Sequence, residues 1–576
     1  MTACVMYVKH YAISSCFQHS LWQMSVEKDK KEPKIAQDTY DIKVDIPDEP
    51  NTCFSWRILW RFTGPGLLMS IAYLDPGNVE SDLQSGAVAQ FKLIWVLLLA
   101  HVLGLLLQRL AARLGVVSGK HMAEIAHSYY PKWPRLILWI MVEIAIIASD
   151  MQEVIGTAIS LYLLSDAKIP LWAGVLITVC DTFTFLLLER YGVRKFEAFF
   201  AFLIACMAAA FGYEFARSKP SMGSLFTGMV VPWCTDCGPS QFLQGVSIVG
   251  AVIMPHNLYL HSALVKSRSI DRTRMSKVSE ANKYYFIESF FALFCSFWIN
   301  VLVVAVFAEG LYNKTNGDVR HNCYTIDNHM PDFYKVIFEN NTEPAESDIF
   351  HAGIFLGCTF GVGALYVWAI GILAAGQSST MTGTYAGQFA MEGFVQIKLP
   401  RWKRVLVTRT LAMAPTLLVT IFSRGIEHIT GLNDFLNCVQ MIQLPFALLP
   451  VLAFVSDKRV MFTFRASRPQ QIFSLMATIV ILAINFFFLY EWMSTTFGFN
   501  VISISFSVIL ATIYMIAMLY LFYYCFAAME VFPRFDWVWL PAPKYQDFDA
   551  PWLAPILSKE DKSSHVNPVC DDDDDD

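Results

Sequence analysis

Two short segments combine proline with polar or metal-binding side chains inside long apolar runs. The first is Asp75–Asn78 (DPGN) and the second is Met254–Asn257 (MPHN). Proline removes a backbone N–H and clashes with the preceding helical turn, and glycine loosens the backbone further. Each apolar run is therefore predicted to unwind near its middle and to leave backbone carbonyls without helical partners.

The side chains at the two predicted breaks form a mixed set of oxygen and sulfur donors. Asp75 offers a carboxylate, Asn78 an amide oxygen and Met254 a thioether, and unwinding frees carbonyls such as those of Asp75 and Ala251. Calcium and magnesium prefer oxygen alone, whereas a thioether is a soft ligand. The set suits Mn²⁺, Fe²⁺, Co²⁺ or Cd²⁺. The alternative for Met254 is a residue that only fills the core.

A third apolar run carries three acidic residues. Glu143, Asp150 and Glu153 are spaced by seven and three residues, so one face of a helix can present all three. Buried acids without a counter-charge are unfavourable, and Arg268 and Arg409 are candidate partners. These acids are candidates for a proton route. The alternative is a static ion-pair network that stabilises helix packing.

Two histidines follow the second break. His256 and His261 lie in the same apolar run, and an imidazole is the side chain best suited to carry protons near neutral pH. The alternative is a pair of core histidines with satisfied hydrogen bonds. Ionisable residues inside a membrane are functional candidates by default.

Long apolar runs must position these groups. The chain has 576 residues, 55% hydrophobic and 16% charged, with a mean hydropathy of +0.43. Soluble domains average about 25% charged residues, and a membrane-spanning helix needs about 20 apolar residues. The sequence predicts an all-α integral membrane protein with about twelve spans, namely 57–90 (interrupted), 93–114, 135–164, 169–189, 195–216, 241–265 (interrupted), 284–310, 350–384, 404–424, 432–455, 471–491 and 499–528.

Charge excludes one class of partner. The net charge of −6 equals the contribution of the Asp571–Asp576 run, which we interpret as a solvated tail. Without that run the chain is neutral, so it lacks the net positive charge that is typical of proteins that bind nucleic acids. The lipid bilayer is the expected environment.

Loop charges and sequons orient the spans. Lys and Arg are concentrated in alternate loops, which the positive-inside rule places in the cytosol together with both termini. The remaining large loop, about 311–349, contains sequons at Asn313 and Asn340, which are glycosylated only on the external or lumenal side. Residues 1–55 are predicted to be a disordered cytosolic tail and 531–576 a cytosolic C-terminal tail, flanking a transporter domain at 56–530.

The two interrupted spans are the first and the sixth. They occupy corresponding places in two halves of five spans, about 57–216 and 241–455, followed by extra helices at about 471–528. Because the halves enter from opposite sides, they are predicted to be inverted repeats. Paired interruptions of this kind are the best sequence pointer to a transporter's binding site. The alternative is two proline kinks with chance polar neighbours.

The cysteines give a weaker signal. Cys180, Cys206, Cys295 and Cys358 lie in apolar runs and are interpreted as small core residues. Cys234 and Cys237 lie in a predicted external loop. A disulfide between them, a disulfide to Cys323 and free thiols all remain open.

Several motifs in order resemble the NRAMP family of divalent metal transporters. They are the segments 75–78 and 254–257, Gly376–Gly387, Leu444–Ala447 and Thr408–Arg409, and the resemblance covers about residues 56–530. It implies a LeuT-like fold of two inverted five-helix repeats with helices 1 and 6 broken. It also implies H⁺-coupled import of Fe²⁺ and Mn²⁺, with no permanently bound cofactor and no enzymatic activity.

The resemblance also assigns roles to individual residues. Asp75, Asn78, Met254 and the carbonyl of Ala251 would bind the metal, and Asn437 would supply a further amide. The residues implied for proton transfer are Asp75, Asp150, Glu153, His256 and Arg409.

Three other functions fit parts of the pattern. An organic-solute symporter on the same fold would use helix N-termini to hold a carboxylate, which Asp75 would repel. A membrane metalloenzyme would need a tighter ligand cluster, and the chain has no H-E-x-x-H motif. A metal sensor would bind without transport. Plasma membrane and endolysosomal locations both remain open, as does the oligomeric state.

Overall fold

The computed structural model describes residues 43–48, 54–178, 193–325, 330–396, 401–422, 427–496, 501–531, 543, 548 and 550–553. Helices form nearly all of this part of the chain. Its two short strands, β1 (Val44–Asp45) and β2 (Arg268–Ser269), pair in parallel with Val44 opposite Arg268.

The first predicted span is divided into three helices. The helices between residues 56 and 164 are α1 (Trp56–Phe62), α2 (Pro65–Ile71), α3 (Pro76–Ala89), α4 (Ile94–Ser118), α5 (Met122–Tyr129) and α6 (Lys132–Leu164). Residues 171–178 are also helical. The break between α2 and α3 is the predicted one. The break between α1 and α2 was not predicted, and it lies at Gly64, whose φ of 150° favours glycine.

The second interrupted span is broken where predicted. The helices of this region are α7 (Val193–Ser218), α8 (Met222–Val230), α9 (Pro239–Val252), α10 (Pro255–Leu264) and α11 (Met275–Gly310), with a 3₁₀ turn at Val265–Ser267. Pro255 is the first residue of α10 and Met254 is its N-cap residue. Proline is favoured at this first helical position because its missing N–H is not needed there.

The remaining helices include two further breaks that were not predicted, at Gly361 and at Leu444. They are α12 (Asn316–Thr325), α13 (Asp332–Lys335), α14 (Ile349–Phe360), α15 (Val362–Val395), α16 (Arg401–Phe422), α17 (Glu427–Gln443), α18 (Pro445–Ser456), α19 (Lys458–Met461), α20 (Arg468–Thr496) and α21 (Val501–Ala528), with 3₁₀ turns at Phe462–Phe464 and Pro551–Leu553. The predicted span 432–455 divides at Leu444, because Pro445 begins a new helix.

Eight helices among the described residues are long and apolar enough to cross a membrane. They are Ile94–Ser118, Glu197–Ser218, Pro239–Ser267, Met275–Gly310, Val362–Val395, Phe435–Ser456, Arg468–Phe487 and Val508–Ala528. Of the other four predicted spans, 57–90 is the broken series α1–α3, 135–164 is α6, and 404–424 is α16. The span 169–189 is described only as far as residue 178.

The predicted span 350–384 begins too early. Gly361, with φ 99°, separates the 12-residue helix α14 from the 34-residue helix α15. Only α15 is long enough to cross a bilayer of about 30 Å at 1.5 Å per residue. Helix α14 therefore belongs to the loop that precedes this span.

A large apolar core lies where α6, α7, α11, α14 and α15 pack together. Helices α6 and α15 approach closely at Gly376 and Gly383. A Cβ at these positions would lie 2.2 Å from Thr157 Oγ1 and 2.3 Å from Asp150 Oδ1, respectively. The predicted motif Gly376–Gly387 thus serves to bring the acidic helix α6 against α15.

Two disulfides lie in predicted external loops. Cys234 bonds to Cys237, and Cys323 bonds to Cys358. The interpretation of Cys358 as a core residue was therefore wrong in part: the side chain is buried, but it joins α14 to α12. Cys206 and Cys295 are free. Cys206 is half-buried, but Cys295 is exposed, so the interpretation of Cys295 as a core residue was wrong. Cys180 lies outside the described residues.

A part of the predicted disordered tail is ordered. Residues 43–48 include β1, and Asp48 forms ion pairs of 2.7 Å with both Arg274 and Lys277. These contacts hold the tail to the segment that follows α10. Most of the tail, residues 1–42, lies outside the described residues.

Candidate functional site

The first break places Asp75 at the N-terminus of a buried half-helix. Asp75 is the N-cap residue of α3, and its Oδ1 accepts hydrogen bonds from Asn78 N at 2.9 Å and Asn78 Nδ2 at 2.5 Å. Aspartate is a preferred N-cap because its oxygen satisfies an otherwise unpaired N–H. Both side chains are only 1% exposed.

Two oxygens at this break have no protein partner. Asp75 Oδ2 and Asn78 Oδ1 are buried and accept no hydrogen bond. Buried polar atoms are usually hydrogen-bonded, and an unpaired carboxylate oxygen in an apolar interior is strongly unfavourable. A cation between these two oxygens would satisfy both, so the residues fit a metal ion as cargo.

The second break supplies a carbonyl and a thioether. In a continuous helix the Ala251 carbonyl would accept from the N–H of residue 255, but Pro255 has none. Met254 adopts an extended conformation between α9 and α10 and is 2% exposed. Pro255 thus leaves the Ala251 carbonyl without its helical donor, as predicted.

The backbone carbonyl of Asp75 is not available. It accepts a hydrogen bond from Val79 N at 3.0 Å, inside α3. By the same argument as for Ala251, Pro76 removes the helical donor for Ala72 instead. The expectation that unwinding frees the Asp75 carbonyl was therefore wrong. The carbonyl that loses its donor belongs to Ala72, about one helical turn earlier.

A network of neutral amides joins the two breaks. Gln152 donates to Asn437 Oδ1 at 2.8 Å, and Asn437 donates to Ser247 Oγ at 3.1 Å. A Cβ on Gly77 would lie 2.6 Å from Gln152 Oε1, and one on Gly250 would lie 3.0 Å from the Asn437 carbonyl. Asn437 is therefore beside the site, with its amide oxygen engaged by Gln152.

Sequence reasoning missed Gln152, Ser247 and Gln440, which donates to Gln152 Oε1 at 2.8 Å. None of these three residues belongs to a motif that the sequence analysis singled out. The available signal was position, because Gln152 lies between Asp150 and Glu153 in the middle of an apolar run.

Helix α3 carries further buried acids that the sequence analysis did not consider. Asp82 is 2% exposed, and its Oδ2 has no hydrogen-bond partner. It lies seven residues from Asp75, which is two turns along the same face, or about 10 Å. Glu80 accepts from Gln84 Nε2 at 3.0 Å and from Ile349 N at 2.9 Å. The approach to Asp75 along α3 is therefore acidic, which favours cations.

The three predicted acids of α6 separate into two groups. Asp150 and Glu153 are 1% exposed and face α15 at Gly383, where Ser149 also donates to Glu153 Oε1 at 3.2 Å. Glu143 is only half-buried, and it accepts from Trp139 Nε1 at 2.8 Å. The first two acids lie on the helix that carries Gln152, so they are close to the breaks.

The two histidines of α10 are completely buried. His256 is 1% exposed and His261 is 0% exposed. Among the described residues, His256 Nδ1 has no hydrogen-bond partner, so the alternative of a satisfied core histidine does not describe His256. Both histidines remain candidates for proton transfer.

Arg268 does not pair with the acids of α6. Its guanidinium forms a buried ion pair of 2.8 Å with Glu197 and donates to the carbonyls of Arg61 at 2.9 Å and Thr63 at 2.7 Å. The suggested pairing with α6 was wrong for this residue. The side chain of Arg409, the other suggested partner, lies outside the described residues.

Arg268 instead belongs to a cluster at the break between α1 and α2. Glu288 accepts hydrogen bonds from the backbone N–H groups of Gly64 and Gly66. Together, Arg268 and Glu288 satisfy both the carbonyls and the amides that the break exposes. This cluster, the inner latch (Arg268, Glu197 and Glu288), holds α1 and α2 to α7 and α11.

A separate ion pair lies at the predicted cytosolic face. Lys266 Nζ is 2.8 Å from Glu124 Oε2. Burial alone would raise the pKa of Glu124, but the His121 ring and the Lys266 ammonium lower it to about 2. The stability of this contact is present above the unfolded pKa of about 4.3 and is lost as pH falls through about 2. Mild acid therefore leaves it intact.

Comparisons with known proteins identify the family. Residues 66–491 match the family model described as natural resistance-associated macrophage protein-like. The chain belongs to the NRAMP family. It is 66% identical over 527 residues to the NRAMP-like transporter smf-3 of Caenorhabditis elegans, which covers 91% of this chain and 94% of the relative. It is also 58% identical over 460 residues to natural resistance-associated macrophage protein 2 of Mus musculus, covering 80% of each chain.

Solved structures agree with this assignment. A mutant of the Eremococcus coleocola manganese transporter has a TM-score of 0.71 and 30% identity, covering 85% of this chain and 99% of that one. The predicted fold is confirmed: the NRAMP chain is an all-α, LeuT-like transporter with helices 1 and 6 broken. It is a multi-pass membrane protein that transports metal ions and is not an enzyme.

Proposed function

We propose that this NRAMP chain is a proton-coupled importer of Fe²⁺ and Mn²⁺, with Co²⁺ and Cd²⁺ as further substrates. The observation that carries the proposal is the pair of unpartnered oxygens on Asp75 and Asn78 at the break before α3. The Ala251 carbonyl and the Met254 thioether complete a weak, mixed ligand set from the second break. Weak ligation suits transport because the ion must leave again.

The choice of ion rests on ligand chemistry. A thioether disfavours Ca²⁺ and Mg²⁺, and the absence of a His or Cys cluster at these breaks disfavours tight Zn²⁺ binding. The manganese transport named for the Eremococcus coleocola relative supports the same choice. Asn437 joins the ligands in a state where Gln152 releases its amide oxygen.

The proposed proton route starts at Asp75 and continues through Asp150 and Glu153 of α6. His256 and His261 of α10 are buried beside the second break and extend this route, and Arg409 and Glu143 lie further along it. Arg268 takes part indirectly, through the inner latch. No group in this route needs a permanently bound cofactor.

Alternating access follows from the half-helices. The metal reaches Asp75 from the external side, loses water, and leaves to the cytosol when the inner latch opens. An inside-negative potential favours this direction by about 2.3 kcal/mol per charge per 100 mV. We propose that both termini face the cytosol and that the protein lies in the plasma membrane or in an endolysosomal membrane.

The experiment that tests the proposal is ⁵⁴Mn²⁺ uptake into cells that express the chain, at external pH 5.5 and 7.5. Uptake should be faster at the lower pH, and excess Fe²⁺ should compete while an amino-acid mixture should not. No uptake by protein shown to be at the cell surface would contradict the proposal.

Met254→Ala is expected to change ion selectivity. Removal of the soft ligand should reduce Cd²⁺ uptake by about tenfold, or about 1.4 kcal/mol, and Mn²⁺ uptake by less. Initial rates of ¹⁰⁹Cd²⁺ and ⁵⁴Mn²⁺ uptake would measure this difference, with Ca²⁺ as a competitor. The control is Met391→Ala, which removes a buried thioether from α15. Equal losses for both ions would contradict the role of the sulfur.

Asn313→Gln and Asn340→Gln are expected to remove one glycan each. Both asparagines are exposed in the loop between α11 and α14. Each single variant should migrate faster than the wild type on a gel, and the double variant should match enzymatically deglycosylated protein. Unchanged mobility of the double variant would contradict the external placement of this loop.

A further inference from the structure

Three metal-binding side chains meet at the start of α14, far from the breaks in sequence. Asp348 is the N-cap residue of this helix, and its Oδ1 accepts from His351 N at 2.8 Å. The ligand atoms of Glu346, Asp348 and His351 all lie within 4.8 Å of one another. None of these residues belongs to the site described above.

The imidazole is held between two carboxylates. His351 Nδ1 lies 2.6 Å from Asp348 Oδ2, and His351 Nε2 lies 2.8 Å from Glu346 Oε2. His351 and Asp348 are buried, whereas the Glu346 side chain is 45% exposed. One side of the ring is therefore fixed inside the protein, and the other faces a carboxylate that solvent can reach.

This arrangement is the one that metal-binding histidines use. A ligating histidine donates its other ring N–H to a carboxylate, which fixes the tautomer and the orientation of the ring. Asp348 can serve in that way at His351 Nδ1, which leaves Nε2 as the nitrogen that can bind a metal ion when it gives up its proton. A metal ion at Nε2 would replace the proton that the ring shares with Glu346.

The surroundings of the ring are rigid. The rings of Phe338 and Phe350 each contact His351 edge-on, with centroids 5.3 Å away. The disulfide between Cys323 and Cys358 joins α12 to α14. A ligand held by packing and a covalent bond loses little freedom when it binds an ion.

One hydrogen bond connects this cluster to the transport path. Ile349 N, between Asp348 and His351 in sequence, donates to Glu80 Oε2 at 2.9 Å. Glu80 lies five residues after Asp75 on α3, about 7.5 Å along the helix axis. The cluster is thus attached to the half-helix that carries the proposed ligand Asp75.

We propose that Glu346 and His351 form an additional divalent transition-metal site that captures the ion before it reaches α3. The metal would take one imidazole nitrogen and one carboxylate from the protein and water at its other positions. Such a set selects Mn²⁺, Fe²⁺ or Zn²⁺ over Ca²⁺, because imidazole is a poor ligand for calcium. The capture role rests on the proposed direction of transport; the binding itself does not.

The test is equilibrium dialysis of ⁵⁴Mn²⁺ against the purified full-length protein in detergent. Four variants accompany the wild type: Asp75→Ala, Glu346→Gln, the double variant Asp75→Ala/Glu346→Gln, and the control Glu343→Gln. Glu343 is an exposed acid of the same loop, so its substitution makes the same change of charge without removing a ligand. Because Glu346 is also exposed, its substitution should leave folding intact.

Wild type and Glu343→Gln should each bind one more Mn²⁺ than Glu346→Gln, in addition to any constant contribution from the Asp571–Asp576 tail. If Glu346→Gln binds as many ions as the wild type, the proposal is overturned, whatever Asp75→Ala does. If Asp75→Ala retains the wild-type number, as Glu343→Gln does, while Glu346→Gln binds one ion fewer, the capture site stands and the central site fails.

A second measurement tests the capture role. Glu346→Gln should raise the Mn²⁺ concentration for half-maximal uptake about three- to tenfold at an unchanged maximal rate, because the central site is untouched. Glu343→Gln should leave both values unchanged. Equal effects of the two substitutions would show a general effect of loop charge and would overturn the role of this residue.

Discussion

Asp75→Ala is expected to reduce metal uptake to background while the protein still reaches the membrane. The substitution removes the only carboxylate among the proposed ligands, together with the buried oxygen that has no protein partner. Loss of a charged ligand at a desolvated site should reduce uptake more than about 100-fold, or about 2.8 kcal/mol. Uptake of ⁵⁴Mn²⁺, normalised to the amount of protein at the cell surface, measures the effect.

Asp75→Asn separates the metal ligand from the helix cap. Asparagine caps helices as well as aspartate does, so the hydrogen bond from Asn78 N and the start of α3 should be preserved. Uptake should still fall to background because the charge is gone. Asp271→Asn, which neutralises an exposed acid outside the spans, should transport normally. Substantial uptake by Asp75→Asn would contradict a charged ligand at this position.

Gly64→Ala is expected to prevent the inner latch from forming. The backbone at Gly64 has φ 150°, which an alanine rarely adopts, and an added Cβ would lie 2.1 Å from Glu197 Oε1 and 2.3 Å from Arg268 Nη2. Backbone strain of this kind costs about 1–3 kcal/mol, and disruption of a buried ion pair costs about 3–5 kcal/mol. These values are comparable to the whole stability of many domains.

The expected result is at least a tenfold loss of folded protein, measured by size-exclusion chromatography of detergent extracts after a heat step. The matched control is Gly212→Ala in α7, where nothing lies within 4 Å of an added Cβ. That variant should be at least as stable as the wild type, since alanine favours a helix over glycine. Equal amounts of folded protein for the two variants would show that the latch does not need this glycine.

Proline made the two central breaks predictable. Pro76 and Pro255 remove specific backbone donors, so the identity of the freed carbonyls follows from counting four residues back. The resemblance to NRAMP transporters then supplied the roles of Asp75, Asn78 and Met254. Local chemistry was therefore enough to predict the two breaks. The roles of the side chains at the breaks stay predictions.

Contacts distant in sequence were not predictable. The pairing of Arg268 with Glu197 joins residues 71 positions apart, and the bond between Cys323 and Cys358 joins residues 35 apart. Judged by charge alone, Arg268 could pair equally well with the acids of α6 or with Glu197 of α7. Only the packing of α1 and α2 against α7 and α11 decides between them, and no local pattern records that packing.

The pairing of β1 with β2 attaches the amino-terminal tail to the segment that carries Arg268 of the inner latch. Val44 and Asp45 pair with the strand that contains Arg268, and the Arg268 side chain donates a hydrogen bond to the carbonyl of Thr63. Tension or bulk applied to the tail is therefore transmitted to the residue that holds α1 and α2 in place. For this reason, a reporter domain for transport measurements should not be attached to the amino terminus.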